Sequence, residues 1–317
     1  MTPTPLAAGL DYFDLNFIGL PGIIATGFLH GHSGVAVVDP GPTTCLPTLR
    51  QQLSARGFST ADIRWILITH IHLDHAASTG SLLKECPNAR VIVHERGAPH
   101  LIDPSKLLSS ATRLYGADME RLWGEIIPVP AANIDGVGDS ARMEIAGHDV
   151  EVAYTPGHAW HHISFFVRNA KVAFVGDTAG ICRPSGRIVL PPTPPPDIDL
   201  DAWRISTERI LSWNPDVLFL THFGPQSSPR VHFQDMWKRM DDWSAKVQAT
   251  LAQEGTDEER ANRFMKTVTE EIARLSNADE AAAYARAGRF DFSWTGLARY
   301  WRKKLSAQEG TNDRSRQ

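Results

Sequence analysis

The sequence predicts a layered α/β domain followed by a C-terminal helical extension. Three observations carry that expectation. Short β-branched runs punctuated by Gly and Pro alternate with segments of helical periodicity. Two of those runs, ILITH at 66–70 and LFLTH at 218–222, end an apolar stretch with Thr-His. From about residue 231 onward every segment reads as helical.

Taken in order, Gly34 to Asp39 (GVAVVD) is a strand stopped by a Pro-Gly-Pro turn. Residues 43–56 read as a helix, with Leu46, Leu49 and Leu53 at spacings of three and four. Ile63 to Thr69 and Val91 to His94 are buried strands, with a helix near Ser78–Glu85 between them. Residues 97–124 carry Leu107, Leu108, Leu114 and Leu122 and are expected to lie as helix over the strand ends. Val150 to Tyr154, Ile163 to Val167 and Lys171 to Val175 are the next strands. PPTPPP at 191–196 is stiff and extended, a wall or lid rather than a linker. Asp201 to Trp213 is a helix capped by Asp199 and stopped before Pro215, and Val217 to Leu220 is the last strand. Helices then cover 231–253, 257–275 and 278–287. The chain thus divides into a domain over 1–230, a helical extension over 231–305 and a frayed, disordered tail over 306–317. The Thr-His echo places His70 and His222 at one edge of the domain. On the echo alone, coincidence between two buried strands reads equally well.

Composition narrows the function. With 42% hydrophobic and 21% charged residues in 317, the chain can bury a sizeable core. A formal charge of −4 argues against gripping nucleic acid. No run of 18 apolar residues is present, so no membrane span is expected. The first basic residue is Arg50, so no secretory signal is expected and the compartment reads as cytoplasmic. Cys45, Cys86 and Cys182 form no CxxC pair and read as idle thiols. Thirteen His against three Cys point instead to nitrogen and oxygen metal ligands.

The decisive stretch is THIHLDH, residues 69–75. It sets His70, His72, Asp74 and His75 directly after a strand. Imidazole and carboxylate suit zinc or iron. Alternate residues of an extended segment point the same way, so His70 and His72 can share one metal while Asp74 and His75 turn to a neighbouring site. Further ligands must come from elsewhere. His158 in YTPGH, Asp177 in FVGDT and His222 in LFLTH each follow a strand.

These residues resemble the metallo-β-lactamase superfamily, in the HxHxDH hydrolase branch that includes hydroxyacylglutathione hydrolases (glyoxalase II) and lactonases. The matching motifs run in order from VVDPG at 37–41 through HxHxDH, TPGH, GDT and TH at 221–222, covering roughly residues 15–225. The resemblance implies a four-layer αββα sandwich with the C-terminal helices appended. It gives His70, His72 and His158 to a first metal, Asp74, His75 and His222 to a second, and Asp177 as the bridge. The implied cofactors are two divalent ions, zinc first, with iron or manganese as alternatives.

Two such ions about 3.5–4 Å apart suit hydrolysis by a bridging hydroxide. Asp74, with a spare oxygen, is expected to orient that hydroxide and pass a proton to the leaving group, and Asp74 and Asp177 are the expected catalytic carboxylates. Thr69 and Thr221 read either as supporting hydrogen-bond donors or as plain strand-end threonines. His162 reads as structural, His161 as solvent-facing, and His94 and His100 either as cavity-lining or, more simply, as buried and hydrogen-bonded. His30 and His32 read as a hairpin turn at the pocket mouth with no acidic partner, and Cys182 lies near the site without being a ligand.

The expected partner is a small-molecule substrate, an ester, thioester or lactone, with no nucleic acid and no membrane. The basic cluster Arg299, Tyr300, Arg302, Lys303 and Lys304 could hold glutathione, or could simply complement a helix terminus. Homodimerisation through Trp237 and Trp243 stays open beside pocket closure as the task of the helices. The alternatives are a mononuclear iron enzyme resembling persulfide dioxygenases, a phosphodiesterase or β-lactam hydrolase of the same fold, and a non-catalytic metal-binding module.

Overall fold

The computed structural model describes residues 4–184 and 188–314. Strands β1 (Thr4–Ala7), β2 (Leu10–Asp14), β3 (Ala25–Gly31), β4 (Gly34–Val38), β5 (Ile63–Leu67), β6 (Arg90–His94) and β7 (Ile134–Val137) form one sheet in that spatial order. Strands β8 (Arg142–Ile145), β9 (His148–Tyr154), β10 (Ile163–Val167), β11 (Val172–Phe174), β12 (Val217–Leu220) and β13 (Gly224–Ser227) form the second, in reverse order. Pairing is antiparallel at the hairpins and parallel where helices cross over: β4 to β5, β5 to β6, β6 to β7 and β11 to β12.

Period-two alternation builds the layers. In β4, Ala36 and Val38 face the second sheet, whereas Val35 and Val37 face the helices outside. In β10, Phe165 and Val167 point inward and Phe166 outward. Such strands bury both faces, which is why GVAVV reads as an unbroken apolar run and ISFFV is broken only by Ser164, whose buried hydroxyl meets Thr155 at 3.0 Å. One core lies between the sheets and one outside each, as the four-layer sandwich requires.

The strands that escape sequence reading have a common character. β7 (IDGV) and β8 (RMEI) are short and half polar because each closes a sheet edge. β3 (ATGFLHG) mixes Gly and Thr into its run, and Gly27 is needed there because a Cβ would meet the Phe174 ring at 2.4 Å. Asp199 does cap the helix Leu200–Ser212, accepting from the Ala202 amide at 3.0 Å.

Four helices close the chain: Pro229–Leu251, Asp257–Leu275, Ala278–Gly288 and Phe290–Arg314. Residues 315–317, the end of the tail expected to fray, lie outside the described residues. Trp237 and Trp243 are buried within this packing, which corrects the idea that they are surface contacts for a second copy. Trp237 donates to Thr207 at 3.0 Å, and Trp243 packs edge-on against Phe264 and Phe290. Among the described residues no helix is long and apolar enough to cross a membrane.

The last helix meets the proline segment at Gly296, where a Cβ would stand 2.0 Å from the Thr193 carbonyl oxygen. Thr193 also donates to the Ser293 carbonyl at 3.2 Å. Gly296→Ala should therefore push the helix off this wall and cost about 1–3 kcal/mol, read as a lower denaturant midpoint. An unchanged midpoint would show that the contact gives way freely.

Candidate metal centre

Every candidate ligand follows the end of a strand. β5 leads to Thr69 and His70, β9 to His158, β11 to Asp177 and β12 to His222. Backbone bonds clamp these ends together: Ile163 N donates to Thr69 O at 2.8 Å and Ala25 N to Thr221 O at 2.8 Å. After His72 the chain turns into the short helix Leu73–Ala76, which swings Asp74 and His75 across the strand end. Gly176 sets Asp177 from a left-handed conformation (φ 46°), and a Cβ there would strike the Thr69 hydroxyl at 2.5 Å.

All seven residues converge. Their ligand atoms fall into three overlapping groups: His70, His72 and His158; His70, His75 and Asp177; Asp74, His75 and His222. His72 Nδ1 lies 3.0 Å from His70 Nε2 and 3.0 Å from His158 Nε2. Asp177 turns Oδ2 to His158 Nε2 at 3.3 Å and Oδ1 to His75 Nε2 at 3.3 Å and His222 Nε2 at 3.6 Å. Asp74 Oδ2 lies 3.2 Å from His222 Nε2.

The outer nitrogens fix which atom each ring presents. His158 Nδ1 donates to Pro192 O at 2.9 Å, His222 Nδ1 to Ile23 O at 2.8 Å and His75 Nδ1 to Asp39 Oδ2 at 2.8 Å. His70 Nδ1 meets Thr69 Oγ1 at 3.2 Å, and that hydroxyl already donates to Asp39. Each of these rings therefore aims a lone pair from Nε2 into the centre.

Asp39 is the residue that sequence reading undervalued. Its fully buried carboxylate accepts from Thr69 N at 2.8 Å, from the Thr69 and Thr221 hydroxyls at 2.7 Å each, and from His75. Thr69 and Thr221 thus support the site through Asp39. The available signal was VVDPG itself, an acidic residue directly after a buried strand.

Charge follows geometry. Burial, with the surrounding imidazoles, holds His70 well below the usual histidine range, and His72 falls to about 3. Burial also pulls on His75 and His222, but Asp177 and Asp74 outweigh it and raise both. The pull that would keep a proton on His75 Nε2 would equally hold a cation. His75 Nε2 and Asp177 Oδ1 are buried with no hydrogen-bond partner. Lone pairs converging at about 3 Å, with orphaned ligand atoms beside them, fit metal ions.

The other histidines divide. His162 is buried, bonded to Thr155 at 2.9 Å and stacked on His70, a structural role as expected. His94 is buried and stacks on Tyr154. His161 and His100 line the cavity in front of the site, which corrects the solvent-facing reading of His161 and favours the cavity-lining alternative for His100. His30 does have an acidic partner, Asp11 at 3.1 Å. It also lies far from the cavity mouth: β3 starts beside Thr221 at Ala25 and carries His30 about 17 Å away. Cys182 is buried and belongs to none of the three ligand groups.

The cavity holds about 320 Å³, with Asp74, Asp177, His72, His158 and His222 on its floor. The proline segment forms one wall, the helix Ser105–Tyr115 a second, and Ala287, Gly288, Arg289 and Phe292 a third. The helical extension therefore helps to close this cavity.

Known proteins agree with this architecture. The family model described as "Metallo-beta-lactamase superfamily" matches residues 19–222. The metallo-beta-lactamase fold-containing protein ST1585 of Sulfurisphaera tokodaii is 30% identical over 183 residues, covering 56% of this chain and 67% of that protein. A hydroxyacylglutathione hydrolase of a Synechococcus strain is 31% identical over 156 residues, and the match spans 46% of this chain but only 48% of that relative. Among solved structures, the metallo-beta-lactamase family protein TTHA1429 from Thermus thermophilus superposes with a TM-score of 0.71. It covers 94% of this chain and 95% of that one at 23% identity, a likeness of fold. The family match ends on His222, the last of the seven converging residues, and the chain belongs to the metallo-beta-lactamase superfamily.

Proposed function

We propose that this protein is a dinuclear zinc hydrolase that cleaves a small ester, thioester or lactone. One observation carries the reading: the two oxygens of Asp177 face two different ligand groups, His158 on one side and His75 with His222 on the other. His70, His72 and His158 would hold one ion, Asp74, His75 and His222 the other, with Asp177 shared. Such ions, when bound, supply Lewis acidity and make water acidic enough to ionise near neutral pH.

The chain's own residues do the rest. Asp74 engages His222 through Oδ2, and its Oδ1 has no hydrogen-bond partner among the described residues. It borders the cavity and can hold a proton and release it to a leaving group. The proline wall and the helical extension shelter the site from bulk water. A small molecule is the partner that a cavity of this size suits. Three buried, unpaired cysteines support a reducing compartment such as the cytoplasm.

A mononuclear iron centre resembling persulfide dioxygenases needs two His and one Asp, and would leave Asp74, His75 and His222 converging without a task. Counting metals in the purified protein tests the choice, together with an assay panel of thioesters, lactones, phosphodiesters and β-lactams. About two zinc ions per chain with oxygen-independent hydrolysis is the expected result. One iron with oxygen uptake would overturn it, and turnover confined to phosphodiesters or β-lactams would move the substrate class.

A further inference from the structure

Resting on the hydrolase reading, we infer that the substrate presents an apolar acyl or aryl body to the cavity, and that a glutathione thioester is a poor substrate. The walls carry the argument. Pro192, Pro194, Pro195 and Pro196 line one side, and proline has no backbone N–H to offer a polar ligand. Leu107 and Leu114 face it from the helix Ser105–Tyr115, and Phe292 from the last helix.

The charges near the cavity are already engaged. Arg289 lines it, but its guanidinium donates to Asp291 at 2.8 and 3.1 Å and lies over the Phe292 ring at 3.8 Å. In the basic cluster near the C-terminus, three of the four cations are committed elsewhere, which speaks against its reading as a glutathione site, while Lys303 is exposed and acts on Asp197. Arg302 binds Asp257 at 2.6 and 2.8 Å, Lys304 binds Asp201 at 2.9 Å, and Arg299 donates to Pro196 O at 3.2 Å. None of these three lines the cavity. Lys106 stands exposed at the rim, while Asp197 adds a carboxylate to the wall. Among the described residues Lys106 is the one exposed cation lining the cavity, so a peptide thioester with two carboxylates would lose hydration here for little compensating charge. An alkyl or aryl group meets no such cost.

The test uses the full-length, zinc-loaded protein with 4-nitrophenyl acetate, 4-nitrophenyl octanoate and a glutathione thioester. The inference expects kcat/KM to rise at least about tenfold from acetyl to octanoyl and the glutathione thioester to fall below both. Ala287→Phe, which places a ring in the third wall, should lower the octanoyl-to-acetyl ratio. A ratio near one, or preference for the glutathione thioester, would overturn the inference. Binding needs no turnover and separates the two readings. Octanoate bound at least about tenfold more tightly than acetate supports the apolar cavity even if no ester is cleaved, a result in which the hydrolase reading alone falls. Equal binding of the two acids counts against the cavity.

Discussion

In the proposed dinuclear centre, Asp177→Ala should remove the second metal ion and reduce hydrolysis by more than about 100-fold, beyond what losing a hydrogen-bond partner of a ligand costs. Among the described residues Asp177 is the one anion positioned between the two ligand groups, with Oδ2 at 3.3 Å from His158 and Oδ1 at 3.3 Å from His75. Without it, five imidazoles converge with Asp74 as the remaining carboxylate. The two dications of the proposed centre would then lack the negative charge that screens their repulsion. Asp177→Asn keeps the shape and removes the charge, so it should lose metal nearly as fully. Metal content per chain and kcat/KM are the measurements. A variant that keeps two ions and wild-type turnover would show that Asp177 is not the bridge.

The second large effect is expected away from the ligands. Asp39→Ala should destabilise the metal-free fold by about 3–5 kcal/mol, the range for breaking a buried charge pair. Four donors converge on that carboxylate: the Thr69 amide, the Thr69 and Thr221 hydroxyls and His75 Nδ1. Each would be left buried and unsatisfied. His75 would also lose the acceptor that fixes its tautomer, so metal affinity should fall about 10–100-fold. Asp39→Asn retains an acceptor oxygen and should lose less of both. Urea midpoints of the metal-free proteins and zinc titrations give the two readouts. Wild-type stability in Asp39→Ala would mean that the network is dispensable.

The candidate metal ligands at 70–75 were legible in the sequence because the chemistry constrains local spacing. HxHxDH follows one strand, and the strand and the turn after it dictate which way its side chains point. The central strands were legible for a related reason: burial on both faces leaves GVAVV without a polar residue and ISFFV with Ser164 alone. Edge strands such as β7 and β8 were not, because they alternate like many loops.

Other features depended on contacts far apart in the chain. Whether His161 met solvent or the cavity depended on the loop after β9 packing over His70 and His72. Arg302 and Lys304 looked available until the fold brought Asp257 and Asp201 beside them. His30 found Asp11 because β2 and β3 pair, 19 residues apart in sequence.

By itself, the sequence determined the alternation of strands and helices, the helical extension and the HxHxDH cluster, since local periodicity and spacing encode them; the four-layer sandwich and the full set of seven candidate ligands came from the resemblance its motifs carry. Only the tertiary structure decided that Asp39 anchors Thr69, Thr221 and His75, and that the last helix joins the proline wall in closing the cavity. Those features arise from pairing across as many as 182 residues, and hydrogen bonds and charge compensation at that separation leave no local pattern to read.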